Sequence, residues 1–128
     1  MFDTSAFMTS DVVTVKRQAT ISEVIKIFVE SDITGLPVVE DDMTMVGIIS
    51  EKDVLNVLLN DKADLVKVED CMTKDVVSFE QNVDFISICE CLLNNNFRRV
   101  PILKNGKLAG IISRRDLIKY ICEPVVYT

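Results

Sequence analysis

A hydroxyl and a carboxylate stand at a spacing suited to ligand chemistry near the end of this 128-residue sequence. Ser113 is followed three residues later by Asp116, and two arginines lie between them, Arg114 and Arg115. If a helix begins here, the serine can accept from free amides of the first turn while the aspartate reaches back. Free amides, a hydroxyl and arginines at a helix N-terminus also suit an anion such as a phosphate. A capped helix and an anion site are both open interpretations.

Nearly the same motif occurs earlier, because the sequence contains an internal repeat. Gly47–Asp53 and Gly110–Asp116 are identical at five of seven positions. Two further pairs of segments align in the same order, residues 8–13 with 72–77 and residues 36–39 with 100–103. Three matching blocks in one order are typical of a duplicated module. We therefore analyse the chain as two copies of one structural unit.

Each copy has the pattern of a capped helix with one apolar face. Thr20 with Glu23 predicts a capping box, and Asp84 takes the cap in the second copy. The apolar stripes that follow have helical spacing and should face a core: Ile21, Val24, Ile25 and Phe28 in the first copy, and Phe85, Ile88, Cys89 and Leu92 in the second.

Two β-hairpins and two further helices complete the copies. The hairpins are predicted over residues 36–40 with 45–50, and 100–104 with 107–113. Asn105-Gly106 in the second hairpin is a strong turn signal. Helices should then run over 51–59 and 114–121.

The predicted fold class is α+β, with two β-α-β-β-α repeats packed by a pseudo-twofold axis. The first repeat should span residues 7–59 and the second 71–122, with a linker over 60–70. A unit of about 50 residues cannot bury both a helix face and a sheet face alone, so the copies must pack on each other. Clefts between two such copies are preferred places for small ligands.

The composition excludes several classes of protein. With 48% apolar and 27% charged residues the chain is typical of a globular protein. No apolar run reaches the roughly 20 residues of a membrane span, and the N-terminus does not resemble a signal peptide, so a cytoplasmic location without membrane contact is expected. The net charge of −6 argues against nucleic-acid binding. Residues 1–64 carry −7 and residues 65–128 carry +1, so an anion is better tolerated in the second half.

The residues that usually carry catalysis or metal binding are sparse. Four cysteines occur without a C-x-x-C pair, and the chain has no histidine, so we expect reduced thiols and no metal site: Cys71, Cys89, Cys91 and Cys122. No nucleophile stands beside a recognisable base. The sequence therefore predicts neither a catalytic residue nor an enzyme.

The M-T-x-D-V-V openings, the x-P-V-V strand and the G-I-I-S-x-x-D endings together resemble the cystathionine-beta-synthase (CBS) domain. The tandem arrangement resembles the CBS pair called a Bateman module, and the resemblance covers Phe7 to Cys122. It implies a regulatory module that needs no cofactor and binds AMP, ADP or ATP, or alternatively S-adenosylmethionine. It also implies a homodimer, and any regulated protein would be a separate chain.

The resemblance further implies two unequal clefts, in which the opening strand of one copy meets the Ser-x-x-Asp motif of the other. In the main cleft Asp116 would hold the ribose. Phosphate would be contacted by Ser113, Arg98, Arg114 and Arg115, and the base would be framed by Thr9, Val12, Val13 and Ile33. The second, weaker cleft would use Asp53 and Ser50 with Thr73, Val76, Val77 and Phe97. It is weaker because Glu51 replaces Arg114 and because Thr34-Gly35 replace Arg98-Arg99.

Structural alternatives stand beside these roles. Asp53 and Asp116 can be helix-capping residues alone, and Gly47 and Gly110 can serve only close backbone packing. The arginine pair at 114–115 can be a solvated helix start. The whole chain can accordingly be a ligand-free dimerisation or protein-interaction module.

Overall fold

The computed structural model describes residues 4–6, 8–31, 33–60, 64–95 and 97–126, with backbone only for 122–126. The chain divides into two compact units. Unit A is Val13–Val76, and unit B combines Met1–Val12 with Val77–Thr128. The opening segment of the first repeat thus belongs to the unit that contains most of the second repeat.

Unit A is built around a β-hairpin with helices before and after it. Its elements are α1 (Ile21–Ser31), β1 (Gly35–Val39), β2 (Met45–Ser50), α2 (Glu51–Leu59) and α3 (Val68–Cys71). Strands β1 and β2 are antiparallel, with Leu36 opposite Ile49. Val15 forms a parallel bridge to β1, and Thr73 forms an antiparallel bridge to β2. The hairpin is thereby extended on both edges.

The core of unit A lies between the hairpin and its helices. Ile21 and Val24 of α1 are fully buried, as are Leu36 and Ile49 of the hairpin. Ile25 and Phe28 pack against this cluster from the same face of α1. The apolar stripe predicted for the first copy is therefore confirmed.

Unit B repeats this plan with a three-stranded sheet. After a 3₁₀ turn at Thr4–Ala6 its elements are β3 (Phe79–Glu80), α4 (Phe85–Asn94), β4 (Arg99–Lys104), β5 (Lys107–Ser113) and α5 (Arg114–Val126). Strand β3 is parallel to β4, and β4 is antiparallel to β5. The turn residues Asn105 and Gly106 have φ of 55° and 80°, the left-handed values that this dipeptide favours. Both predicted hairpins are confirmed.

The core of unit B is formed by the matching positions. Ile88 and Leu92 of α4 are buried against Val100, Ile102 and Ile112 of the sheet. Phe85 and Cys89, the other two residues of the predicted stripe, are partly buried and pack against this cluster.

Side-chain caps fix where α1 and α4 begin. Oγ1 of Thr20 accepts from the amide of Glu23 at 3.2 Å, and Oδ1 of Asp84 accepts from the amide of Ser87 at 2.7 Å. The bonds from Ser87 hold the pKa of the Asp84 carboxyl below its ordinary value, because they favour the ionised form.

Two stretches differ from the sequence-based expectation. Residues 60–70 were expected to be a linker, but α3 begins at Val68, whose side chain is fully buried in the core of unit A. Val68 stands between Lys67 and Glu69, so the sequence around it shows no apolar periodicity that would predict a buried helix. Helix α5 was expected to end at residue 121 and instead continues to Val126.

The described helices include none that is both long enough and apolar enough to cross a membrane.

Candidate ligand-binding sites

The Ser50–Asp53 motif is a complete capping box at the start of α2. The amide of Asp53 donates to Oγ of Ser50 at 3.3 Å, and the amide of Ser50 donates to Oδ2 of Asp53 at 2.9 Å. The serine hydroxyl donates to the same Oδ2 at 3.0 Å. These bonds fix the carboxylate by one oxygen and leave Oδ1 directed elsewhere. We call this motif with Thr73 the Asp53 site.

The Met-Thr segment 72–73 brings the hydroxyl of Thr73 to this carboxylate. Two backbone bonds pair Thr73 with Ile48, at 2.8 and 2.9 Å. Oγ1 of Thr73 consequently lies 3.5 Å from both carboxylate oxygens of Asp53. Thr73, Asp53 and Ser50 form one polar group within unit A.

The Ser113–Asp116 motif has the same geometry at the start of α5. The amide of Ser113 donates to Oδ2 of Asp116 at 2.8 Å, and the amide of Asp116 donates to Oγ of Ser113 at 3.1 Å. Thr9 pairs with Ile111 through two backbone bonds of 2.9 Å, which brings the first Met-Thr segment to this motif. We call this motif with Thr9 the Asp116 site.

The glycines of both motifs permit this close approach. A Cβ at Gly110 would lie 2.8 Å from the carbonyl oxygen of Thr9 and 2.6 Å from Sδ of Met8. A Cβ at Gly47 would lie 2.8 Å from the carbonyl oxygen of Thr73. Such distances are far inside van der Waals contact. The packing interpretation of both glycines is therefore confirmed.

The capping bonds leave acceptor positions unused on the carboxylates of Asp53 and Asp116. An ionised carboxylate has about four acceptor positions on its two oxygens, and the capping bonds go to Oδ2 in both sites. Both carboxylates are half-buried rather than enclosed. The capping interpretation is thus correct and leaves acceptor capacity for a ligand.

The arginines around the Asp116 site are not equivalent. A terminal nitrogen of Arg114 donates to the carbonyl oxygens of Leu92 at 2.8 Å and Asn95 at 3.2 Å. These carbonyls belong to the C-terminal end of α4, where a cation is stabilised by the unpaired oxygens and the helix dipole. Arg98 and Arg115 are exposed. This arrangement favours a structural role for Arg114, and its phosphate contact stays a prediction.

A groove with both polar and apolar lining residues runs along α2 beside Asp53. Its volume is about 470 Å³, and it lies entirely within unit A, lined by Asp53, Asn56, Val57, Asn60, Val66, Asp70 and Cys71. Burial, and then the negative charges of Asp53 and Asp70, raise the pKa of the Cys71 thiol. Sequence reasoning missed this groove. Its signal was the helical spacing of residues 53, 56 and 60.

An apolar groove lies between α4 and α5 of unit B. Its volume is about 300 Å³, and its lining is Cys89, Leu92, Leu93, Arg114, Leu117, Ile118 and Ile121. Leu93 is 81% exposed and Ile118 is 60% exposed. Apart from Cys89 and Arg114, its lining is aliphatic, and Arg114 is bonded to the end of α4.

The two units divide the predicted site residues between them. Unit B contains Thr9, Val12, Ser113 and Asp116 with the three arginines, and it also contains Val77 and Phe97. Unit A contains Ser50, Asp53, Thr73 and Val76, and it also contains Val13 and Ile33. Because the base-framing residues Val13 and Ile33 belong to the unit that lacks Asp116, their role there stays a prediction. The same holds for Val77 and Phe97 at Asp53.

The described cysteines do not form a reactive or metal-binding group. Cys71, Cys89 and Cys91 are free and half-buried, and burial raises the pKa of the Cys89 thiol. Among the residues that the structure describes, no three metal-ligating side chains cluster. The side chain of Cys122 lies outside the described part.

A family model of the CBS domain matches the chain twice, at residues 5–60 and 68–123. An uncharacterised 17.7 kDa protein of Acidianus ambivalens is 38% identical over 120 residues, which are 93% of this chain and 73% of that protein. The uncharacterised protein MJ1225 of Methanocaldococcus jannaschii is 32% identical, over 89% of this chain and 41% of its own length. The inosine-5'-monophosphate dehydrogenase of the same organism is 39% identical over 85% of this chain. The match spans only 21% of that enzyme.

Solved structures with the same fold include two adenosine-ligand complexes. CBSX2 in complex with AMP is 28% identical with a TM-score of 0.83, over 98% of this chain and 99% of that one. CBSX2 is a CBS-pair protein of Arabidopsis thaliana, and a second crystal structure of it has the same fold. The CBS domain pair of MJ0100, in complex with 5'-methylthioadenosine and S-adenosyl-L-methionine, has a TM-score of 0.77 at 21% identity, over 94% of this chain and 99% of that one.

Proposed function

This chain belongs to the CBS-domain family, of which it carries two copies, and we propose that it is a non-catalytic regulatory module that binds an adenosine-containing ligand. The main binding site is the Asp116 site, and the Asp53 site is the second. The preferred ligand of the Asp116 site is AMP, ADP or ATP.

The fixed carboxylate of Asp116 is the observation that carries this proposal. The Ser113 amide holds Oδ2 at 2.8 Å, so the side chain is oriented before any ligand arrives. A carboxylate accepts two hydrogen bonds from a vicinal diol, and charge assistance makes these bonds stronger than neutral ones. A ribose with free 2'- and 3'-hydroxyls is the diol that the proposed ligands share.

The charge around Asp116 supports a phosphorylated ligand. Arg98 and Arg115 are exposed basic side chains of unit B, and Arg115 lies in the first turn of α5 next to Asp116. The AMP complex of CBSX2, a protein 28% identical to this chain, supports the same class of ligand. Thr9, Val12, Val13 and Ile33 are proposed to frame the adenine.

A non-catalytic role is supported by the side chains available for chemistry. The sequence has no histidine, and the thiols of Cys71 and Cys89 have raised pKa values, which disfavour a thiolate nucleophile. The ligand would act through its different affinities for two arrangements of the module.

A homodimer is part of the proposal, and exposed apolar side chains on the helices of both units support it. In unit A these are Val29, Leu55, Leu58 and Leu59, and in unit B they are Ile86, Leu93, Ile118 and Ile121. Leu59 is 85% exposed. Large exposed apolar patches mark association surfaces, and these side chains would supply such a patch in each unit. The regulated protein would be a separate chain.

A thermal-shift panel with adenosine, AMP, ADP, ATP and S-adenosylmethionine tests the proposal. A ligand at 100 times its dissociation constant should raise the free energy of unfolding by about 2.7 kcal/mol. If no compound at millimolar concentration raises the melting temperature, the chain is instead a ligand-free dimerisation or interaction module. If a compound does raise it, mass spectrometry of small molecules that copurify with the protein would identify the physiological ligand.

A further inference from the structure

We propose that the Asp53 site selects adenosine-type ligands whose 5'-substituent is positively charged, whereas the Asp116 site selects those that carry phosphate. This inference rests on the proposed function, and it assigns a different class of ligand to each site. Three observations support it: the groove along α2, the charged residues that line it, and the residues at the equivalent positions of unit B.

The groove offers a place for a substituent that leaves the ribose at Asp53. It continues from Asp53 along one face of α2, past Asn56 to Asn60, and Asp70 of α3 lies on its other side. Its volume of about 470 Å³ is within the range of small-molecule pockets. The side-chain amide nitrogen of Asn60 donates to the backbone carbonyl of Asn56 at 2.9 Å, which leaves the amide oxygen of Asn60 as an acceptor. The groove is therefore rich in acceptors.

The two charged side chains that line this groove are both negative. Asp53 and Asp70 both line it, and no described residue of the lining is basic. Burial first, and then the negative charges of Asp53 and Asp70, raise the pKa of the Cys71 thiol, which also lines the groove. The ion pairs found in the described part of unit A, Lys16–Asp41 and Arg17–Glu40, involve neither of the two carboxylates.

The corresponding positions of unit B are less negative. Aligning the repeats places Lys119 where Asn56 stands, and Ala6 where Asp70 stands. At the helix start, Arg114 stands where Glu51 does. Beside Asp116 stand Arg114, Arg115 and Lys119, whereas the equivalent positions beside Asp53 are Glu51, Lys52 and Asn56, so the Asp53 motif carries less positive charge. A 5'-phosphate should therefore bind better in unit B than in unit A.

The charge of the 5'-group is the variable that separates the two sites in an experiment. Asp116→Asn keeps an oxygen for the helix cap and removes the charge, which leaves the Asp53 site as the ribose-binding carboxylate. In this variant, isothermal titration with S-adenosylmethionine, adenosine and AMP should give affinities that decrease in that order. The net charges of the three probes are positive, zero and negative.

Asp70→Asn, added to the same variant, tests the groove itself. It should weaken S-adenosylmethionine binding about threefold to tenfold, as expected for one charge across a solvated groove, and leave adenosine nearly unchanged. Glu69→Gln is the matched control, because it makes the same change of charge at the adjacent residue, which does not line the groove. The control should leave all three affinities within twofold.

The outcomes separate this inference from the proposed function. If the wild-type chain binds AMP but Asp116→Asn binds none of the three compounds, or binds AMP at least as tightly as adenosine, the inference is wrong and the proposed function stands. Equal effects of Asp70→Asn on all three ligands would also overturn the inference. If the wild-type chain binds none of them, the proposed function itself has failed.

Discussion

The amide of Ser113 donates to Oδ2 of Asp116 at 2.8 Å, and the amide of Asp116 donates to Oγ of Ser113 at 3.1 Å. This reciprocal pair begins α5 and at the same time orients a carboxylate at the helix N-terminus. Ser50 and Asp53 repeat it at the start of α2. Because one oxygen of each carboxylate carries the cap, a stable helix start and a preformed acceptor for a ligand are two consequences of one local structure.

Gly110→Ala should destabilise the chain by about 1–3 kcal/mol, because the added Cβ would overlap the carbonyl oxygen of Thr9 and Sδ of Met8. Urea unfolding measures this loss. Gly35→Ala is the control, since its Cβ would meet its nearest atom at 3.8 Å, an ordinary contact. Equal urea midpoints for Gly110→Ala and Gly35→Ala would contradict the role of Gly110 in allowing the Met-Thr segment to approach β5.

Arg114→Met and Arg115→Met should have opposite consequences. The first removes two bonds to carbonyls at the end of α4, so we expect a loss of about 1–2 kcal/mol in the free energy of unfolding and little change in the ratio of AMP to adenosine affinity. The second should leave stability within about 0.5 kcal/mol and lower that ratio. Unfolding and titration of both variants check this. A loss of AMP preference in Arg114→Met alone would reverse our assignment of the two arginines.

Asp84 should make stability depend on pH in the acid range. Its pKa in the folded chain is lowered by the Ser87 amide, so its contribution is complete above its ordinary pKa of 3.8 and declines as the pH falls through the lower folded value. Asp84→Asn keeps a capping oxygen without a charge, so its stability deficit should be present at pH 6 and should shrink as the pH falls below 3.8. Urea unfolding across this range tests it, with exposed Asp75→Asn as control. A deficit that grows at low pH would refute this account of the cap.

Light scattering should return a mass of twice the 14.4 kDa of one chain. Leu55→Glu and Ile118→Glu stand at equivalent positions of the two repeats, 61% and 60% exposed, and a charge at a buried contact should shift the chain towards monomer. Lys52→Glu, on the exposed start of α2, should remain a dimer. A monomeric wild-type chain would show that these apolar helix faces do not mediate self-association.

The sequence predicts what local chemistry and duplication determine. Asn105-Gly106 specified the turn of one hairpin, and Thr20 and Asp84 specified the starts of two helices, because each acts within a few residues. The repeat itself identified the Ser-x-x-Asp motifs as a pair. These features need no knowledge of distant contacts.

Other features depend on contacts that no local pattern encodes. Arg114 bonds to the C-terminal end of α4 because Leu92 and Asn95 end that helix beside it, 22 and 19 residues away. The groove along α2 exists because Val68 anchors α3 in the core of unit A. A single buried valine among charged residues gave no periodic signal.

Isothermal titration of AMP into the wild-type chain, Asp116→Asn and Asp53→Asn determines whether Asp116 holds the main adenosine ligand. Both variants keep a capping oxygen, so their folds can be verified by equal melting temperatures before titration. We expect AMP affinity to fall tenfold or more in Asp116→Asn, which is about 1.4 kcal/mol or more, and less than threefold in Asp53→Asn. Unchanged AMP affinity in Asp116→Asn would contradict this expectation.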